Sequence, residues 1–315
     1  MTNFIDLASW ELNGVEDLLT RAEAIKRCRR TNFKPLTGKS VALYFEKPSL
    51  RTRVSFEIGI QELGGMTTYL DRMGVGLGVR EPVRDVARTL DRYVDAIVCR
   101  LFRHEDLIDL AHWSRLSVVN ALTDFSHPCQ ILADVMTLRE CGLWREDLVL
   151  AWIGDPNNVL QSWIDLAEIF PMRIQIASPE LPAAFERYLF EPSLRDRFIW
   201  MRDPARCVAD ADVVYGDTWI SMGQENQAEE KRTAYQGYTI SSQLLDAAPA
   251  HVTVLHCLPA KRGEEIDDDV FERFAPVIFA QAENRLHAQK AILWMLLAAD
   301  VWPVAAYADE ALLTV

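Results

Sequence analysis

Short apolar runs separated by longer amphipathic stretches recur along all 315 residues, and this alternation restricts the fold more than any other feature. Runs such as Ser40–Phe45 and Arg173–Ala177 are too short for a buried helix and carry β-branched or aromatic residues, so they read as strands. The same reading applies to residues 66–70, 96–99, 117–120, 148–153, 197–201, 213–215, 252–255 and 277–279. Helical periodicity fills the gaps, notably over 15–29, 51–63, 83–92, 129–141, 159–170 and 282–302. Strand and helix in strict alternation imply an α/β chain with doubly wound parallel sheets. A helix ending at Cys141-Gly142 marks the best boundary, because Gly takes the left-handed conformation that stops helices. Two α/β lobes are therefore expected, residues 1–141 and 142–283, with the stretch 284–315 packing back on the first. Ligands of such sheets bind beyond the carboxyl ends of the strands, here expected in the cleft between lobes.

Charge narrows the classes of partner. The formal net charge is -13, so a nucleic-acid backbone would be repelled. An anionic substrate would need a local cluster of cations, which makes each Arg in a motif informative. The six cysteines (Cys28, Cys99, Cys129, Cys141, Cys207, Cys257) form no CxxC pair and suit a reducing compartment. The first residues have neither the basic nor the apolar region of a secretory signal, and no stretch is apolar enough to span a bilayer. A cytoplasmic location without membrane contact is expected.

The segment Phe45-Glu46-Lys47-Pro48-Ser49-Leu50-Arg51-Thr52-Arg53 joins a strand to a helix. Free N–H groups and the positive end of the helix dipole make such a turn an anion site. Ser49 and Thr52 add hydroxyls, and Arg51 adds a forked cation suited to phosphate. Arg53 is the member expected to be structural, paired with Glu57 one turn on. Arg100 ends the next apolar run, where it could meet a ligand or pair with Asp95. His127 and Gln130 lie on one face of a following helix; either could be a surface or capping residue, but together they suit a carbonyl and an amide. The dipole at that helix start disfavours imidazolium, so His127 is read as a neutral N–H donor. Gly154-Asp155-Pro156-Asn157-Asn158 reads as a turn, and Asp217 opens a polar stretch rich in Gly, Gln, Asn and Glu, fitting a lid or a solvated loop. Adjacent strand residues face opposite ways, so His256 is badly placed to activate Cys257 as a nucleophile. Gly74-Val75-Gly76-Leu77-Gly78-Val79 imitates a dinucleotide fingerprint but has Val79 in the place of its third Gly. No metal site or cofactor is expected.

Ser49–Arg53 resembles the Ser-Thr-Arg-Thr-Arg signature of the aspartate/ornithine carbamoyltransferase family. His127-Pro128-Cys129-Gln130, Asp217-Thr218-Trp219-Ile220-Ser221-Met222-Gly223, His256-Cys257-Leu258-Pro259 and Glu283-Asn284-Arg285 resemble later segments in the family's order, nearest its ornithine branch. The resemblance spans essentially the whole chain. It implies a carbamoyl phosphate-binding first lobe and an ornithine-binding second lobe. It further implies carbamoyl phosphate contacts from Ser49, Leu50, Arg51, Thr52, Arg100, His127, Gln130, Cys257, Leu258 and Arg285, with Arg51, Arg100, His127 and Cys257 catalytic. Asn158, Asp217, Ser221 and Met222 would hold ornithine. Arg285 would lie at the start of the last long helix. The family departs from this chain at Leu50 (Thr), Pro156 (Gly) and Gly76, where it offers His or Gln to a neighbouring subunit. Trimers, or multiples of trimers, are implied.

The reaction so implied is direct attack of ornithine's side-chain amine on carbamoyl phosphate, giving L-citrulline and phosphate without a covalent enzyme intermediate. Other readings are transfer to putrescine, an N-acylated ornithine or aspartate, or a non-catalytic relative that binds a phosphate metabolite. A nicotinamide-dependent oxidoreductase is a distant third.

Overall fold

A computed structural model describes residues 3–29, 32–192, 194, 196–220 and 225–301. The chain divides into two compact units, the first made of residues up to Met136 together with those from Asn284 onward, the second of Thr137–Glu283.

In the first unit α1 (Leu12–Arg27) precedes β1 (Ser40–Phe45), α2 (Leu50–Glu62), β2 (Met66–Asp71), α3 (Arg72–Val75) and α4 (Val83–Leu90). β3 (Ala96–Arg100), α5 (His104–Trp113), β4 (Ser117–Leu122) and α6 (Pro128–Glu140) follow, α6 running on into the second unit. The sheet is parallel, in the order β2-β1-β3-β4. β3 is buried at every position, as a strand covered by helices on both faces must be, whereas the edge strand β2 is exposed at Met66, Thr68 and Asp71. Val41, Leu43, Val98 and Val119 sit wholly out of solvent.

The second unit contains β5 (Val149–Ile153), α7 (Asn158–Ile169), β6 (Arg173–Ala177), α8 (Ala183–Glu186), β7 (Phe198–Met201) and α9 (Pro204–Val208). β8 (Val213–Gly216), α10 (Ala228–Ala234), α11 (Ser242–Leu245), β9 (Thr253–His256) and α12 (Asp268–Ala298) complete it, α12 continuing into the first unit. Its parallel sheet has the order β7-β6-β5-β8-β9. Trp152 on β5 and its register partner Tyr215 on β8 stack at 5.2 Å. Such a pair adds about 0.5–1.5 kcal/mol beyond the area it buries. That contact fixes the β5–β8 register where the site residues branch off.

One strand read from the sequence is not a strand. Residues 277–279 lie inside α12, which runs from Asp268 through Pro276. Val270, Phe271, Phe274 and Ile278 are buried while Phe279 is exposed, a helical spacing that a three-residue apolar window cannot reveal. Arg285 consequently sits in the middle of a long helix rather than at its start.

Candidate active site

Each sheet reverses its winding direction at one point, and polar residues of the sequence motifs lie near that point within their own unit. In the first unit β1 connects outward to β2, and β2 crosses back to β3 on the other side of β1. The carboxyl ends of β1 and β3 therefore flank the switch point, where α/β sheets bind ligands. The Glu46 N–H donates to the Arg100 carbonyl at 2.9 Å, tying the two strand ends together.

From β1 the chain enters α2 through Ser49, whose extended backbone and side-chain oxygen cap the helix by accepting from the Thr52 N–H at 3.2 Å. Leu50 follows with its side chain 76% exposed, so only its backbone can serve a ligand at the helix start. Arg51 is half-buried and Thr52 fully buried. Arg285 reaches this turn from α12, its Nη2 donating to Thr52 Oγ1 at 2.6 Å. Arg53 pairs with Glu57 at 3.0 Å and lies over the Tyr69 ring, a structural role as its spacing implied.

Arg100 is the last residue of β3 and is buried. Asp95, the alternative partner considered for it, stands before the other end of that strand and accepts from Lys39 Nζ and the Ser40 N–H. His127 lies just before α6 and is also buried. Burial, then the guanidiniums of Arg285 and Arg100, holds its pKa well below the usual imidazole range. Its neutrality follows from desolvation and two neighbouring cations rather than chiefly from the helix dipole.

Lys47 belongs to the same cluster and was not singled out by sequence. It is buried with Nζ 4.5 Å from the Phe102 ring centroid, and burial followed by Arg100 lowers its pKa. A Lys beside Pro in a turn is ordinarily solvated, so the sequence carried no signal for it. Three cationic side chains and a neutral imidazole thus share one buried corner of the unit. Removing like charges from water is unfavourable, and a small dianion with a carbonyl group would offset that cost.

The Gly-rich segment is not a nucleotide loop. Asp71 caps the single turn α3, and Gly76 closes it with φ +62°. A Cβ there would meet Arg80 Cβ at 2.8 Å, so the loop as built requires glycine.

In the second unit the switch point lies between β5 and β8. Asn157 caps α7, its Oδ1 accepting from the Val159 and Leu160 N–H groups, while Nδ2 donates to Asp217 Oδ2 at 2.7 Å. Asp217 also accepts from the Thr218 N–H at 2.7 Å. Asn158 is the first residue of α7 and half-buried. Asp155 is held by Lys231 Nζ at 2.7 Å and the Tyr235 hydroxyl at 2.9 Å. Its carboxyl is pushed up by burial and by Asp217, with Lys231 opposing. Sequence reasoning passed over Asn157 in favour of Asn158, although an Asn directly before an apolar helical run is a capping signal. Ser221 and Met222 lie outside the described residues.

Cys257 and Leu258 follow β9. The Leu258 N–H donates to His256 Nδ1 at 2.9 Å, and His256 Nε2 stands 3.3 Å from buried Glu265 Oε1. An accepting Nδ1 carries no proton, so the imidazole N–H is on Nε2 facing the carboxylate. Both ring nitrogens are thereby committed to Leu258 and Glu265, and His256 does not serve as a base for Cys257. The imidazole instead holds Leu258 in its left-handed backbone conformation (φ +59°), which presents the 257–258 turn.

The model of the aspartate/ornithine carbamoyltransferase carbamoyl phosphate-binding domain matches residues 2–140, and that of the family's aspartate/ornithine-binding domain matches 146–296. Ornithine carbamoyltransferase of Chlorobaculum tepidum is 42% identical over 307 residues, covering 95% of this chain and 91% of that one. The enzyme of Methanoculleus marisnigri is 43% identical over 305 residues, covering 94% and 96%. Among solved structures, the anabolic ornithine carbamoyltransferase of Campylobacter jejuni superposes with a TM-score of 0.88 at 35% identity, covering 94% of this chain and 99% of that one. The Pyrococcus furiosus enzyme gives 0.87 at 38% identity, covering 95% and 98%.

Proposed function

The chain belongs to the aspartate/ornithine carbamoyltransferase family, and we propose that it converts carbamoyl phosphate and L-ornithine into L-citrulline and phosphate. The observation that carries this reading is the buried corner where Arg285 and Arg100 act on neutral His127 and Arg100 acts on buried Lys47. A small acyl phosphate offers such a corner both a phosphate and a carbonyl.

Arg51, Thr52, Arg285, Ser49 and the first N–H groups of α2, including that of Leu50, take the phosphate. Arg100 spans phosphate and carbonyl oxygen, and His127 donates to that carbonyl. Cys257 and Leu258 serve the reacting carbon, while Asp217, Asn158, Ser221 and Met222 hold the amino-acid end of ornithine. Neutral ornithine amine attacks the carbonyl carbon and the oxyanion is met by donors already in place. Such donors contribute about 3–4 kcal/mol each. The C–O bond to phosphate then breaks, and the leaving phosphate takes the amine's proton. Pairing the two reactants supplies about 7–11 kcal/mol more. An alkyl amine has a reference pKa near that of Lys, roughly 10.4, so turnover rises toward alkaline pH.

Assembly into homotrimers or multiples of trimers is part of this reading. Leu50, Val54 and Ile58 leave an apolar stripe exposed at i, i+4 spacing on α2, beside exposed Met66 on the edge strand β2. A second copy of the chain is the fitting cover. Among the described residues no helix is long and apolar enough to cross a membrane. The buried thiols of Cys99, Cys129 and Cys207, none in a disulfide, suit a reducing cytoplasm.

The test is product formation from carbamoyl phosphate with ornithine, putrescine, N-acetylornithine and aspartate offered separately. Citrulline from ornithine at a rate well above the other products is expected. Preference for any other amine overturns the acceptor assignment, and no product from any of them overturns the enzyme.

A further inference from the structure

Gln130 and Asp134 lie one turn apart on α6, 1% and 0% exposed. Gln130 Nε2 donates to Asp134 Oδ1 at 2.8 Å. A carboxyl oxygen that accepts from Nε2 selects one of the two orientations of the Gln130 amide. The reverse orientation would set two acceptors against each other out of water. With the NH₂ group so engaged, the carbonyl oxygen is the atom left over, and it is buried with no hydrogen-bond partner among the described residues. A buried acceptor without a donor is a standing cost that a bound donor removes. His127 stands three residues earlier and is neutral, an N–H donor for a carbonyl oxygen.

We propose that Asp134 is a positioning residue that locks the Gln130 amide, making its carbonyl oxygen a reader of the donor's NH₂ group and so excluding acetyl phosphate. The inference rests on the carbamoyl phosphate reading above. Acetyl phosphate has nearly the same shape and charge, and differs by a methyl where carbamoyl phosphate has NH₂. Phosphate contacts cannot separate the two. A fixed acceptor can, because the methyl leaves that acceptor buried and unsatisfied, and sites built around a hydrogen bond reject analogues that lack it. An amide free to rotate would present its own NH₂ half of the time and lose that discrimination.

The experiment compares kcat/KM for carbamoyl phosphate with inhibition by acetyl phosphate and by inorganic phosphate, in the parent, Asp134→Leu and Asp134→Asn. In Asp134→Leu the carbamoyl phosphate kcat/KM should fall about tenfold or more, while both inhibition constants stay within about twofold. Asp134→Asn should lie between, since its carbonyl still accepts from Gln130 but its own NH₂ also permits the reversed amide. Should Asp134→Leu fail to fold, the isosteric Asn variant decides. A discrimination ratio between carbamoyl and acetyl phosphate that falls in that variant supports the proposal, and an unchanged ratio overturns it. Parallel loss of all three ligands would make Asp134 merely structural. A parent that does not turn over carbamoyl phosphate would instead sink the functional reading, so the two failures are told apart.

Discussion

The switch point of the first sheet is lined by cations, and that of the second by carboxylates already in hydrogen bonds. In the first unit Lys47 and His127 are driven toward neutrality by burial and by neighbouring guanidiniums. In the second, Asp217 is held by Asn157 and the Thr218 N–H, and Asp155 by Lys231 and Tyr235. The first arrangement is under electrostatic tension that an anion relieves. The second is internally satisfied, so an incoming ammonium must compete for the Asp217 carboxylate. A ligand at the first site would relieve the crowding of like charge; one at the second would exchange one partner for another.

The largest effect should come from breaking the tense site. Arg285→Met removes a guanidinium and the donor to Thr52, and turnover should drop by about 10²–10³ with the ornithine KM little changed. Equal loss in both substrates' KM and a normal kcat would mean that Arg285 only braces α2.

Ligand-induced stability contrasts the two units directly. At about 100 times its Kd, a ligand that binds only the folded state adds about 2.7 kcal/mol. Carbamoyl phosphate alone should raise the melting temperature at concentrations where ornithine alone leaves it nearly fixed. The opposite order in a thermal melt would reverse the comparison.

A smaller effect is expected at the satisfied site. Asp217→Asn should raise the KM for ornithine about tenfold while sparing that for carbamoyl phosphate, because Asn157 can still bond the amide oxygen. Steady-state kinetics with each substrate varied checks this. An unchanged ornithine KM would remove Asp217 from the acceptor site.

The smallest effect concerns pH. His127 stays neutral in the folded protein, whereas the unfolded chain takes up a proton there below about pH 6.5. The unfolded state then binds more protons, so stability declines as pH falls through that value. His127→Gln should lose less stability than the parent between pH 6.5 and 5 in denaturant titrations. Identical slopes would show that His127 titrates normally.

Much of this was legible in the sequence because the same local chemistry that builds each βα turn also builds the site. Ser49 was readable as a helix cap, and Arg100 as a strand-end cation. Arg53 was readable as structural because Glu57 lies one turn on. Lys47 was not, since its burial depends on Phe102 and Arg100 arriving from elsewhere in the chain. Nor was the role of Asn157, which links two strand ends 60 residues apart through Asp217. Residues 277–279 misled because three apolar residues after a proline look alike in a strand and in a long helix. Gly76 carries a structural explanation that the sequence hid: its left-handed backbone and the adjacent Arg80 leave no room for a side chain.

The most direct test of the cation corner is calorimetric titration of carbamoyl phosphate into the parent protein and into Arg100→Ala, with no acceptor present. Binding to the parent and a loss of affinity of about a hundredfold or more in the variant is the expected result. Equal affinity in the two proteins would contradict the assignment of that corner to carbamoyl phosphate.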